Sequence, residues 1–299
     1  MTAPDWIAVD WGTSNLRIWA MRADDTVLER RKSDHGMGRL REDQFEESFL
    51  SLVEDLLPDR PTPVLVCGMA GARGGWREAG YVSVPAAPQN GTVSRVITND
   101  SRIDVRILPG LSQTNPPDVM RGEETQIAGV LARNPDFDGV ICLPGTHTKW
   151  VRVAGGAVLE FRTFMTGELF AILTQHSILR QSLDDDWDDA AFADALAQGL
   201  AAPADTSAAL FGLRAQNLLA TPNQGETQAR LSGLLIGLEL AGARSFWEQN
   251  PVILVGEKLT RVIYTSLGRL APEVCHADTE DMTLAGLIAA RSALKGKDV

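Results

Sequence analysis

The stretch Ile7-Ala8-Val9-Asp10-Trp11-Gly12-Thr13-Ser14-Asn15-Leu16-Arg17-Ile18-Trp19-Ala20 decides the fold. Two apolar arms with strand character flank a polar turn, which reads as a β-hairpin. The turn has the chemistry of a phosphate cradle. Glycine lets a ligand approach the backbone, N–H groups point into the turn, and Thr13, Ser14 and Asn15 add side-chain donors. Asp10, at the strand end beside that turn, suits Mg²⁺, which takes one or two carboxylates and keeps several waters. Capping the turn is the structural alternative for the same residue.

The pattern recurs. Val140-Ile141-Cys142-Leu143 is an apolar strand, Pro144-Gly145-Thr146-His147-Thr148 a turn, and Lys149-Trp150-Val151-Arg152-Val153 a returning strand. Gly145-Thr146 matches Gly12-Thr13, and an internal repeat outranks any single motif in assigning a fold. Strands at 64–67 and 105–108 follow the first hairpin, with helical spacing at 42–57 and 122–131. After the second come mainly helices, including 230–247, late strands at 252–255 and 274–277, and a closing helix at 283–294. Strands then helices, twice over, predict two α/β lobes with a cleft between them. Asn134-Pro135-Asp136 interrupts helix and strand, so the lobes are expected at 1–135 and 136–299.

Composition narrows the function. A net charge of −11 with no Lys/Arg run argues against nucleic acid as a partner. No apolar run reaches the roughly 18–20 residues of a membrane helix, and the N-terminus lacks a signal-peptide pattern, so a soluble cytoplasmic protein is expected. Cys67, Cys142 and Cys275 show no paired spacing and read as free thiols. There is no G-x-x-x-x-G-K-[ST] and no G-x-G-x-x-G after a strand, which leaves the hairpins to hold phosphate. His147 and Lys149 extend the second hairpin as phosphate donors.

Four runs in the same order resemble the 2-dehydro-3-deoxygalactonokinase family: residues 10–17, Gly68-Met69-Ala70-Gly71, Arg121-Gly122-Glu123-Glu124-Thr125-Gln126 and residues 143–150. Phe164-Met165-Thr166-Gly167-Glu168 fits as well. The resemblance implies an α/β, two-lobed actin/hexokinase-like ATPase fold made of duplicated ribonuclease-H-like domains. It also implies transfer of the ATP γ-phosphoryl group to the 6-hydroxyl of 2-dehydro-3-deoxy-D-galactonate, with ATP and Mg²⁺ as cofactors. The N-terminal lobe would carry the first phosphate hairpin and the sugar-acid site; the C-terminal lobe would carry the second hairpin and the adenosine site.

Within that resemblance, Asp10, Gly12, Thr13, Ser14 and Asn15 are the metal-side phosphate site. Gly145, Thr146, His147 and Lys149 are the second phosphate site, and Gly256 walls the adenosine. The segment 121–126 is similar to the helix start of exopolyphosphatases and supplies the base, Glu124 with Glu123 as alternate; complementing the helix dipole is the structural reading of both acids. The substrate carboxylate calls for an Arg fork. Arg73, in the glycine-rich loop 71–75 with Gly71, ranks first; Arg17 and Arg162 are weaker candidates, with surface or structural pairing as the alternative for each. Gly36-Met37-Gly38 and Trp76 are candidate walls of the sugar pocket, with loop flexibility and ordinary packing as the alternatives. Gly233 and Gly237 either admit the nucleotide or pack helices. The acidic run 184–189 reads as a solvated loop and helix start.

Two other classes remain open at this point. An exopolyphosphatase-like hydrolase would share the hairpins but call for a basic channel. A non-catalytic nucleotide-binding module of the actin fold would bind ATP without acceptor-dependent ADP formation. Apolar helices of the second lobe are the candidate face of a homodimer.

Overall fold

The first hairpin forms around the turn at 12–15: β1 (Trp6–Trp11) pairs antiparallel with β2 (Leu16–Met21), Trp11 opposite Leu16. The computed structural model describes residues 3–183, 186–220, 225–257, 260 and 264–296. Beyond the hairpin come β3 (Val27–Ser33), α1 (Phe45–Val53), β4 (Thr62–Gly68), β5 (Tyr81–Ser83), β6 (Ser94–Arg95), β7 (Ile103–Ile107), β8 (Gly110–Thr114), β9 (Pro117–Met120) and α2 (Glu123–Arg133). There follow β10 (Gly139–Leu143), β11 (Thr148–Ala154), β12 (Ala157–Phe164), α3 (Thr166–His176), α4 (Asp189–Ala201), α5 (Thr206–Leu219), α6 (Glu226–Gly242), α7 (Arg244–Trp247), β13 (Val252–Val255), β14 (Val274–Ala277) and α8 (Thr279–Lys295).

The chain forms two compact units. One comprises Met1–Gly139, Arg152–Phe161 and His276–Val299; the other comprises Val140–Val151 and Arg162–Cys275. The first crossing, at Gly139, lies a few residues beyond the expected 135/136 division, and the chain later returns twice to the first unit. Sequence periodicity marks elements, not such returns, because a strand reads the same in whichever unit its neighbours place it.

The duplication is visible in topology. One sheet runs β3-β2-β1-β4-β7-β6 and the other β12-β11-β10-β13-β14, so each has its first three strands in reverse order and then a crossover. β1 pairs parallel with β4, and β10 pairs parallel with β13. A small sheet, β5-β8-β9, has no counterpart in the sequence reading. Its strands are short and half exposed, and they lack the apolar alternation that would announce them.

In the first unit Phe45, Phe49 and Val53, at i, i+4 and i+8 of α1, bury one face against Val9, Trp11 and Val66. On the sheet's other face, Trp6, Trp19 and Cys67 meet Leu287 and Ala290 of α8. Asp278 starts α8 by accepting from the N–H groups of Glu280 and Asp281. Gly129 of α2 lies against the Met282 carbonyl and Gly286 of α8 against the Thr125 carbonyl, each leaving no room for a Cβ. That close crossing fixes α2, and with it the helix start that carries Glu123 and Glu124.

In the second unit Gly233 and Gly237 of α6 meet the Phe192 and Leu196 carbonyls of α4, and a Cβ at Gly233 would lie 2.5 Å from the Phe192 oxygen. Both glycines serve helix packing, the second of the two expected roles. Asp188 caps α4 through the N–H groups of Ala190 and Ala191; Asp184 and Asp185 lie outside the described residues. Among the described residues no helix is long and apolar enough to cross a membrane.

Candidate active site

In the first unit Asp10 stands opposite Arg17 across the hairpin and beside Cys67 of β4. Arg17 Nη1 donates to Asp10 Oδ2 at 3.0 Å, and the two side chains are 32% and 13% exposed. Burial pushes the Asp10 carboxyl above the usual aspartate range, against the pull of Arg17; the Glu123 charge adds to the rise. The Gly12 N–H donates to the Asn15 carbonyl at 2.9 Å and closes the turn, leaving Thr13, Ser14 and Asn15 exposed.

The start of α2 joins this cluster. Gly68 has φ +86° and Gly122 φ +104°, conformations that favour glycine, and a Cβ at Gly122 would lie 3.4 Å from the Gly68 Cα. The two acids of the first turn fold back on the preceding backbone. Glu123 Oε2 accepts from the Arg121 N–H at 3.1 Å, and Glu124 Oε2 from the Gly122 N–H at 2.6 Å. Glu124 Oε1 also accepts from Thr125 Oγ1 at 3.0 Å. Glu124 is 2% exposed, whereas Glu123 is half-buried. Burial, with the Glu123 charge second, pushes the Glu124 carboxyl up to about 7. The geometry brings Asp10, Glu123 and Glu124 to one end of β1 and β4.

Arg73 is exposed in the loop after β4 and makes no hydrogen bond or ion pair among the described residues. Gly71 is buried, and a Cβ there would lie 2.7 Å from Arg121 Nη1. Arg121, missed by the sequence reading, threads past it: Nη2 donates to the Ala79 carbonyl at 2.5 Å, and the guanidinium lies 4.4 Å from the Tyr81 ring centre. The signal was present, since Arg121 directly precedes the Gly-Glu-Glu run. Trp76 packs at 5.6–6.3 Å from Trp11, Phe45 and Phe49, and Met37 packs against the same core. Both follow the packing alternative. Gly36 lies against the backbone of Thr13 and Ser14, beneath the first turn.

The second unit holds a cavity of about 730 Å³ lined by Gly145, Thr148, Thr166, Phe170, Phe192 and Tyr264, among others. That volume suits a nucleotide-sized ligand. Behind it, Glu239 of α6 is 1% exposed and gathers three donors: Trp150 Nε1 at 2.9 Å, the Tyr264 hydroxyl at 2.7 Å, and the Thr166 hydroxyl. Burial raises its carboxyl above the usual range. Nothing in the motif search pointed to Glu239, yet an acid set among the apolar residues of α6 is itself a signal.

Strand alternation sends Thr148 and Trp150 to the Glu239 side and Lys149 to the opposite face, where it is 5% exposed and does not line the cavity. His147 Nε2 meets Glu168 Oε2 at 2.5 Å, so that nitrogen is engaged. Thr146 is exposed on the turn. Gly256 is buried at the end of β13; Thr260, Tyr264 and Thr265 after it line the cavity while Gly256 does not. Lys258 and Leu259 lie outside the described residues. Arg162 belongs to this unit, with Nη1 at 3.5 Å from the Gly242 carbonyl and its guanidinium 5.9 Å from the Phe246 ring centre.

Comparison with known proteins gives these sites a context. The family model described as 2-keto-3-deoxy-galactonokinase matches residues 10–290. A Rhizobium meliloti (strain 1021) protein carrying the name 2-dehydro-3-deoxygalactonokinase DgoK1 is 40% identical over 98% of both chains. The Escherichia coli (strain K12) 2-dehydro-3-deoxygalactonokinase is 38% identical, over 85% of this chain and 86% of its own. A crystal structure from Sinorhizobium meliloti bearing the same kinase name superposes with a TM-score of 0.89 at 40% identity, covering 97% of this chain and 99% of that one. The fold is the actin/hexokinase-like ATPase fold that the family resemblance implied, with the ribonuclease-H-like strand order present twice. By its match across almost the whole length, this chain belongs to the 2-keto-3-deoxy-galactonokinase family.

Proposed function

We propose that the protein transfers the γ-phosphoryl group of ATP to the 6-hydroxyl of 2-dehydro-3-deoxy-D-galactonate, releasing ADP in galactonate catabolism. The observation that carries this reading is the convergence of Asp10, Glu123 and Glu124 beside the turn at 12–15 in a chain of this family. The relatives' names supply the substrate, and the reading places the protein in the cytoplasm. Exposed Leu169 and Ile172 on α3, with Phe211 and Leu218 on α5, are the proposed face of a homodimer.

Glu124 is the proposed base. A carboxyl with a pKa near neutrality can take the hydroxyl proton as the acceptor oxygen bonds to phosphorus. Glu123 holds the helix start through the Arg121 N–H. Arg73, exposed and without a partner among the described residues, is proposed to receive the substrate carboxylate. In each unit the outward turn amides, those of Thr13 and Ser14 in the first and of Thr146 and His147 in the second, are proposed to donate to phosphate oxygens, and the cavity in the second unit receives the nucleoside.

Mg²⁺ fits the donor set at Asp10. Oδ2 accepts from Arg17 and Oδ1 has only a weak thiol donor, Cys67 Sγ at 3.9 Å; among the described residues no cluster of three or more His, Cys, Asp or Glu forms a protein cage. That is the pattern of an ion held mostly by phosphates and water. When bound, it neutralises charge on the transferring phosphoryl group. Asp10→Asn is expected to cost about two to three orders of magnitude in kcat. It should also raise the Mg²⁺ concentration for half-maximal rate, and unchanged Mg²⁺ dependence would remove Asp10 from this role.

The direct test is ADP release with purified protein against a panel of 2-keto-3-deoxy sugar acids, with the product's phosphate position read by ³¹P–¹H NMR. Activity with another polyol and none with the sugar acids would sink the substrate assignment. Arg73→Ala is expected to raise KM for the sugar acid roughly tenfold to a hundredfold, the worth of one charge-assisted hydrogen-bonded pair. KM for ATP should hold; equal changes in both would place Arg73 elsewhere.

A further inference from the structure

A phosphate-binding turn must show N–H groups to its ligand and turn its carbonyls away. In the first unit the carbonyls of Gly12 and Thr13 accept from the Met37 N–H at 3.0 Å and the Gly38 N–H at 2.9 Å. In a trans peptide the carbonyl of one residue and the N–H of the next point in opposite directions. Tying down those two carbonyls therefore aims the Thr13 and Ser14 amides to the opposite, exposed side. Gly36 makes the approach feasible, because any Cβ there would collide with the Thr13 carbonyl and the Ser14 backbone.

The second unit repeats the arrangement with other residues. The Thr146 carbonyl accepts from the Glu168 N–H at 3.0 Å, and the Gly145 carbonyl faces Gly167, where a Cβ would again collide. The amides of Thr146 and His147 are thereby turned outward. The two glycines occupy equivalent places in the duplicated topology. β3 ends at Ser33 and Gly36 stands three residues later; β12 ends at Phe164 and Gly167 stands three residues later.

We propose that the segments Gly36-Met37-Gly38 and Gly167-Glu168 are positioning elements that orient the hairpin peptides for phosphate. They stand at equivalent places in the two halves of the repeated topology. This rests on the nucleotide-binding reading above and assigns Gly36 to the phosphate hairpin, not to the sugar pocket. Gly38 is a milder site, since its Cβ would lie 3.2 Å from the Thr13 carbonyl.

The test is a set of dissociation constants for adenosine and for the ATP analogue adenylyl imidodiphosphate, with Mg²⁺, by calorimetry on the whole chain. Gly36→Ala and Gly167→Ala are expected to weaken the analogue roughly tenfold or more, about one hydrogen bond's worth, with adenosine held within roughly twofold. Gly38→Ala should show a smaller loss of the same kind. Gly212→Ala, at a glycine of α5 with open space around it, should change neither. A folded Gly167→Ala or Gly38→Ala with the wild-type ratio of the two constants overturns the proposal, as does equal weakening of both ligands. If Gly36→Ala fails to fold, the other two decide. Wild-type protein that binds the analogue but phosphorylates no sugar acid would defeat the substrate reading and leave this measurement valid.

Discussion

Replacing Glu124 with Gln is expected to lower kcat by about 10²–10⁴-fold, the range for a lost general base, and to stabilise the fold at pH 8. The second effect follows from the first residue's surroundings. The folded protein holds Glu124 with a pKa of about 7, above the ordinary value of 4.5, because the carboxylate is out of water and beside Glu123. The folded state therefore binds the proton more tightly than the unfolded chain does. Stability is lost as pH rises from about 4.5 to 7, and at pH 8 the ionised group costs on the order of 3 kcal/mol.

Gln is neutral throughout and nearly isosteric. Its oxygen can accept from the Gly122 N–H, and its amide can donate to Thr125 Oγ1, which can turn to accept. The variant should thus match the wild type near pH 4.5 and exceed it above neutrality, by roughly 5 °C in Tm at pH 8. Thermal unfolding at both values, together with single-turnover rates, checks the prediction. A dead enzyme whose stability gain is the same at both pH values would deny the raised pKa. Near-normal turnover in Glu124→Gln beside a collapse in Glu123→Gln would move the base to Glu123, the more exposed of the two.

The hairpins and the repeat were legible because each depends on contiguous residues, whereas the grouping of Asp10 with Glu123 and Glu124, far apart in the chain, was implied only by the family resemblance. A strand-turn-strand with glycine at its bend is written locally, and the order of motifs along the chain carries the fold. What was not legible depends on contacts distant in sequence. Trp76 sits in a glycine-rich loop, which suggested a ligand wall, but three aromatic side chains from β1 and α1 enclose it. Lys149 stands next to the second turn, yet strand alternation gives Thr148 to the cavity and turns Lys149 to the other face. Arg121 stands beside two acids in sequence, but its path is cleared by Gly71, fifty residues earlier. Pattern reading detects which residues can do chemistry. Which of them reach a site is settled by neighbours that no local window contains.

Glu239 is the sharpest case, and its removal is the second large effect expected. It receives hydrogen bonds from Trp150, Thr166 and Tyr264, drawn from β11, the start of α3 and the segment after β13. Thr166 and Tyr264 also line the cavity, as does Thr148, whose hydroxyl lies 3.4 Å from that of Tyr264. Glu239→Ala leaves the Trp150 N–H with no acceptor and opens a void behind the cavity wall. An indole N–H cannot turn into an acceptor, whereas the two hydroxyls can re-aim. The expected loss is roughly 3–5 kcal/mol of stability, from stranded donors and lost packing together. Glu239→Gln keeps one acceptor oxygen and should lose far less. Because burial raises the Glu239 carboxyl, the wild type gives up some stability as pH climbs past the usual glutamate range, and the Gln variant is spared that loss. In function, both variants free the wall on which the nucleoside is proposed to rest, so KM for ATP should rise while KM for the sugar acid holds. Parallel titrations of the two substrates with Tm at pH 5 and 8 separate these outcomes. An Ala variant with wild-type stability and wild-type KM for ATP would mean that the three donors find other acceptors and that Glu239 holds nothing in place.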